Sequence, residues 1–115
     1  MEYLNSRFEI PVPEDACDPP IVTLCGSTRF KDMFLAAARE LTLQGWIVLM
    51  PCVFGHSDNL NLSTKEKQDL DQLHLEKIRI SDAILVLNYG GYIGESTTNE
   101  IAYACKYDIP IYFYE

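Results

Sequence analysis

The run Ile21-Val22-Thr23-Leu24-Cys25 breaks off at Gly26-Ser27, and up to about Gln44 the apolar residues Phe30, Met33, Phe34, Ala37, Ala38 and Leu41 recur at helical spacing. This reads as strand, tight turn, helix, with Gly45 placed to stop the helix. Trp46 to Met50 forms a second short apolar run closed by Pro51, and residues 52–62 are rich in turn formers, among them Gly55, His56, Ser57, Asp58 and Asn59. Ser63-Thr64-Lys65-Glu66 is a capping-box sequence, and the helix it opens runs through Leu70, Leu73 and Ile78 to about Ser81. Ala83-Ile84-Leu85-Val86-Leu87 is apolar at five successive positions, as a parallel strand covered on both faces should be. A loop with three of the six glycines, Tyr89 to Glu95, leads to a helix over roughly Thr98 to Tyr107 and a last strand over Ile109 to Tyr114.

The order βαβαβαβ with short links predicts an α/β, flavodoxin-like three-layer sandwich with a parallel sheet in strand order 2-1-3-4 and right-handed crossovers. Ligands of such sheets bind beyond the carboxyl ends of the strands, at the switch point between strands 1 and 3. Here those ends are Gly26 to Arg29 and Asn88 to Glu100. Residues 1–20 hold four of the six prolines and stand apart from this pattern. They read as an acidic lead-in outside the core, or as an edge arm in which Phe8, Ile10 and Val12 alternate with polar residues, and residues 21–115 read as the domain.

A chain of 115 residues supports one core. Nine basic against 17 acidic residues give a net charge of −8, which repels a phosphate polymer and excludes nucleic acid as a bulk partner, although one or two fixed donors still suffice for a single nucleotide. The lead-in carries five acids and one base, half of that net charge. No apolar run reaches the roughly 20 residues a membrane span needs, and the N-terminus has no signal-peptide pattern, so a cytosolic protein without a membrane partner is expected. Cys17, Cys25, Cys52 and Cys105 form no C-x-x-C pair. Cys25, Cys52 and Cys105 are expected to be buried free thiols and Cys17 to be exposed.

Three groups of residues carry candidate chemistry. Gly26, Ser27, Thr28 and Arg29 combine close backbone approach, hydroxyls and the free N–H groups of a helix start, a setting for one phosphate. Equally, Ser27 is a plain N-cap and Arg29 a solvated side chain. No Walker or G-x-G-x-x-G pattern follows strand 1, and no acidic pair that would hold Mg²⁺. In Thr97-Thr98-Asn99-Glu100 the glutamate reads either as the N3 member of a capping box or as a nucleophilic carboxylate kept ionised by the helix dipole. Asp71, His74, Lys77 and Ser81 share one helix face, where Asp71 is an adequate partner for a half-buried His74.

These residues together resemble the nucleoside 2-deoxyribosyltransferase superfamily, including its 2'-deoxynucleoside 5'-monophosphate N-glycosidase branch, over Ile21 to Tyr114. Cys25-Gly26-Ser27-Thr28-Arg29, Ser81-Asp82-Ala83-Ile84-Leu85-Val86 and Glu100-Ile101-Ala102-Tyr103-Ala104 carry the likeness. The resemblance implies Glu100 as nucleophile, a nucleoside or nucleotide as substrate, cleavage or transfer at the N-glycosidic bond, no metal or other cofactor, and a homodimer whose neighbouring subunit completes the pocket. It points to Gly26, Ser27, Thr28, Arg29, Asp82, Asn88, Tyr92, Gly94, Ser96 and Thr98 as substrate-binding residues. Where the family has a catalytic aspartate, eight residues before Asp82, this sequence has His74, with Asp71 one turn earlier, so both are candidates for assisting the leaving base. Ala102 stands where glycine is typical, and Tyr89 or Tyr92 is available to stack on a base. A nucleotide-binding or sensing module of the same fold, with Glu100 as a cap alone, is the rival expectation.

Overall fold

The computed structural model describes residues 8–14 and 17–115. In chain order its elements are β1 (Ile21–Cys25), a 3-10 turn (Thr28–Phe30), α1 (Lys31–Leu43), β2 (Ile47–Leu49), α2 (Thr64–Arg79), β3 (Ala83–Val86), a second 3-10 turn (Tyr89–Gly91), α3 (Glu95–Lys106) and β4 (Ile111–Phe113). The four strands form one all-parallel sheet in the order β2-β1-β3-β4 with helices around it, consistent with a flavodoxin-like fold.

The period of two along β1 and β3 divides the core. Val22, Leu24, Ala83, Leu85 and Leu87 face Phe34, Ala37 and Leu41 of α1 together with Trp46 and Phe54. Cys25, Ile84 and Val86 face the other way, onto Ile78 of α2 and Ala104 of α3. Fully burying side chains of this size contributes about 1.5–3 kcal/mol each, so the central pair of strands anchors both layers.

Asp82, expected at the ligand, lies instead at the amino end of β3. Its Oδ2 accepts a hydrogen bond from the Ile21 N–H at 2.7 Å, while its own N–H donates to the Ile21 carbonyl at 2.7 Å. It therefore fixes the start of β1, at the sheet edge opposite the one where ligands bind in such folds.

The lead-in departs from its reading as a segment outside the core. Phe8 and Ile10 are buried, the Phe8 ring stacks on Tyr114 with centroids 5.4 Å apart, and Trp46 Nε1 donates to the Ile10 carbonyl at 3.1 Å. The Ile10 N–H in turn donates to Gln44 Oε1 at 3.2 Å. Residues 8–14 form no strand, because prolines remove ladder donors, but proline in a segment does not stop its neighbours from packing side chains. The expectations for residues 1–7 and 15–16 lie outside the described residues. Cys25 is buried and Cys17 exposed, whereas Cys52 and Cys105 are exposed. Cys52 follows the end of β2 in an open loop, and Cys105 falls on the solvent side of α3, next to the inward Ala104.

Among the described residues no helix is long and apolar enough to cross a membrane.

Candidate functional site

The chain turns directly from the ends of β1, β2 and β3 into the walls of a cleft of about 550 Å³. That volume falls in the range of small-molecule sites. Gly26, Ser27, Thr28 and Arg29 supply one wall, Tyr92, Gly94 and Ser96 another, and Asp71, His74 and Glu100 reach it from the helices. Gly26 is required where it stands: its φ is +151°, and a Cβ would lie 3.1 Å from the Leu87 carbonyl oxygen.

The loop after β1 is held by its own side chains. Ser27 Oγ accepts from the Arg29 N–H at 3.3 Å and from Arg29 Nε at 3.1 Å, so Ser27 caps the 3-10 turn and aims the guanidinium at once. Arg29 lies over the Tyr92 ring, 4.9 Å from its centroid, and Phe30 meets Tyr89 and Tyr92 edge-on. The tyrosines thus form a packed flap over the loop. Across the cleft the backbone N–H of His56 donates to Thr28 Oγ1 at 3.4 Å, and Lys31 is paired with Asp58 at 3.0 Å, which ties the loop after β2 to the start of α1.

Helix α3 begins at Glu95, not Thr98, with Gly94 as its N-cap residue and no side chain capping it. Thr97 is therefore inside the helix, and the expected capping box with Glu100 does not form. Thr98 spends its hydroxyl on the Gly94 carbonyl at 2.9 Å and is absent from the cleft lining. Asn88 also stands outside it. Its Nδ2 donates to the Glu115 carbonyl at 3.1 Å and its Oδ1 accepts the Glu115 N–H at 2.8 Å, fastening the end of β3 to the chain beyond β4.

His74 and Glu100 line the cleft, and with the fully buried Cys25 they form a cluster in which Cys25 Sγ, His74 Nε2 and a Glu100 carboxylate oxygen lie within 4.8 Å of one another. His74 Nε2 is 3.6 Å from Cys25 Sγ and 3.6 Å from Glu100 Oε1. The second distance is too long for a hydrogen bond. Glu100 Oε1 and His74 Nδ1 are buried without a hydrogen-bond partner among the described residues. Burial is the main influence on all three groups. It raises the Cys25 thiol well above its usual range, helped by the charge of Glu100; it lowers His74 to about 4, with Lys77 adding to the effect; it raises Glu100 to about 7, with the neighbouring Cys25 acting against it. Helix-dipole ionisation of Glu100 is thus overridden by desolvation, because the residue sits a turn and a half inside α3 rather than at its tip.

Asp71 does not serve His74. It is exposed and accepts from Lys67 Nζ at 3.3 Å, and Lys67 also reaches Ser96 Oγ at 3.5 Å. With its pKa lowered to about 4, chiefly by burial, the His74 imidazole is uncharged at neutral pH.

Two members of the site went unread as such in the sequence. Cys25 reads from the sequence as a buried thiol heading the Gly26 to Arg29 motif, while the alternation of β1 puts Thr23 and Cys25 on the face toward α2 and α3. Lys67 lies four residues before Asp71, an ion-pair spacing that places its ammonium at the cleft. No protein-family model matches the chain, and no curated protein matches it.

Proposed function

We propose that the protein binds a nucleoside or nucleotide at the carboxyl edge of its sheet and cleaves or transfers the N-glycosidic bond, with Glu100 as nucleophile. The observation that carries this reading is the position of Glu100: a buried carboxyl at the floor of the cleft whose Oε1 has no hydrogen-bond partner among the described residues. A lone pair that no protein donor occupies is available to an electrophilic carbon. The motif likeness of Gly26 to Arg29 and of Glu100 to Ala104 supports the same assignment.

In this reading the ionised Glu100 oxygen attacks the anomeric carbon, the carbon–nitrogen bond breaks toward the base, and a glycosyl ester forms on the enzyme. Water then releases the sugar, or a second base takes it. The leaving base takes its proton from solvent at the mouth of the cleft, beside the Lys67–Asp71 pair. Arg29, Ser27 and Ser96, with the uncapped amides at the start of α3, hold a 5'-phosphate. Exposed Leu60 and Tyr92 at the rim, with Ile93 beside them, favour a homodimer whose partner closes the cleft.

Incubation with deoxynucleosides, ribonucleosides and their monophosphates, followed by chromatography of the free base, tests the assignment. Release that disappears in Glu100→Gln supports it. Ligand binding without release points to the second reading, a nucleotide-binding module, which one observation favours: His74 occupies the position where the resemblance places a proton donor, and it is neutral.

A further inference from the structure

Where His74 and Glu100 line the cleft and Cys25 lies buried against them, a sulfur, an imidazole nitrogen and a carboxylate oxygen are brought together by three different elements, β1, α2 and α3. Such a donor set suits a borderline-soft divalent ion and is poor for Mg²⁺ or Ca²⁺, which prefer oxygen alone. The spacing of Cys25 and His74 fits as well. With Zn–S about 2.3 Å and Zn–N about 2.0–2.1 Å, two tetrahedral ligands stand roughly 3.6 Å apart, and Cys25 Sγ and His74 Nε2 are separated by 3.6 Å. Glu100 Oε1 stands 3.6 Å from the same nitrogen, without a hydrogen-bond partner among the described residues. Nε2 thus faces both other donors.

Charge completes the match. A thiolate and a carboxylate together neutralise a divalent cation, so binding would relieve the cost of burying two acidic groups side by side. Three protein ligands leave the fourth position of a tetrahedral ion unfilled, and two of the three, His74 and Glu100, line the cleft.

We infer that Cys25, His74 and Glu100 form a binding site for a single Zn²⁺ or similar borderline transition-metal ion, open to the cleft at its fourth coordination position. A bound ion takes the Glu100 lone pair that the N-glycosidic reading gives to the anomeric carbon, so ion and sugar exclude one another at that oxygen, and the metal site is argued without that reading. On binding, Cys25 passes its thiol proton to solvent, Glu100 does so where still protonated, and each donor gives a lone pair to the ion; no electron is transferred. His74 Nδ1 finds no acceptor among the described residues, and an outer-shell partner at that atom is typically worth 10–100-fold in affinity. The site is therefore one from which the ion exchanges readily, not a permanent structural centre.

Co²⁺ is the probe, added anaerobically to reduced, chelator-stripped protein. One equivalent should produce a thiolate-to-cobalt charge-transfer band in the near ultraviolet with the intense visible bands of a four-coordinate ion, and Zn²⁺ should abolish them. The bands should persist when the exposed Cys17, Cys52 and Cys105 are all replaced by Ser, and vanish in Cys25→Ala. Glu100→Gln, which conserves volume, should weaken Co²⁺ at least tenfold, and circular dichroism verifies the fold of each variant. Absence of the bands in folded protein with excess Co²⁺ overturns the site. So do bands that survive in Cys25→Ala or depend on the three exposed cysteines, and so does unchanged affinity in folded Glu100→Gln.

Discussion

Glu100 Oε1 and His74 Nε2 lie 3.6 Å apart, yet no ion pair joins them, because burial holds the acid protonated up to about pH 7 and the imidazole uncharged down to about pH 4. The two titrations act on stability in opposite directions. The contribution of Glu100, whose pKa is raised by folding, is complete below about pH 4.5 and is lost as pH rises through about 7. That of His74, whose pKa is lowered, is complete above about pH 6.5 and is lost as pH falls through about 4. Each amounts to about 3 kcal/mol, and between pH 4.5 and 6.5 the slopes cancel. Compared with the native protein in EDTA, Glu100→Gln should gain stability as pH rises through that window, and His74→Asn should lose it. Denaturant unfolding across the window checks this, and parallel profiles for the three proteins would refute it.

Ionisation of Glu100 also governs the reaction assigned to it. Base release, as kcat/KM, should rise with pH along a limb centred near 7 and level off above it. A profile flat from pH 5 to 8 with full activity would remove Glu100 from the nucleophile's role.

Arg29 combines a contact to Ser27 with a cation–π contact to Tyr92, so its guanidinium is presented in one place at the cleft. Arg29→Ala should weaken a nucleoside monophosphate by about 10–100-fold, the scale of a charge-assisted hydrogen bond, and leave the parent nucleoside nearly unchanged. Calorimetric titration with the two ligands separates these outcomes; equal loss for both would place the phosphate elsewhere.

Asp82 bonds to the backbone of Ile21 at the far edge of the sheet. Asp82→Ala should cost about 1 kcal/mol of stability, visible as a lower Tm, with ligand affinity unaltered. A change in affinity at constant Tm would return Asp82 to the site.

Ile10 is 2% exposed and its carbonyl accepts from Trp46, the single tryptophan of the chain. Ile10→Ala should cost about 2–5 kcal/mol and shift the Trp46 emission to the red. An unchanged melting curve would mean that the segment packs only loosely.

The sheet order was legible because unbroken apolar runs, helical stripes and short links leave few topologies. The floor of the cleft was half legible. His74 stands four residues before Ile78 and Glu100 four before Ala104, so the apolar stripes of α2 and α3 run straight into the two polar residues and bring them inward. What the stripes could not tell was that their meeting point is the end of β1, where Cys25 waits on the matching face. The start of α3 was misread for a physical reason: Thr97 and Glu100 have capping spacing, but Gly94 already provides the bend, and a helix needs no side-chain cap when its first amides open onto solvent or a ligand. For the lead-in the alternation of Phe8, Ile10 and Val12 left an arm as one of two readings, and the prolines could not decide between them, because proline frequency reports on backbone pairing and is silent about where Phe8 and Ile10 put their side chains.

The stack of Phe8 on Tyr114 has a kinetic meaning. A contact between residues so distant in sequence closes a loop around nearly the whole chain, and its entropy is recovered only once the sheet between them exists. It belongs to the late side of the folding barrier. Interactions of that kind do little to hasten folding and much to slow unfolding, so this aromatic seam sets how long the native state lasts more than how quickly it is reached.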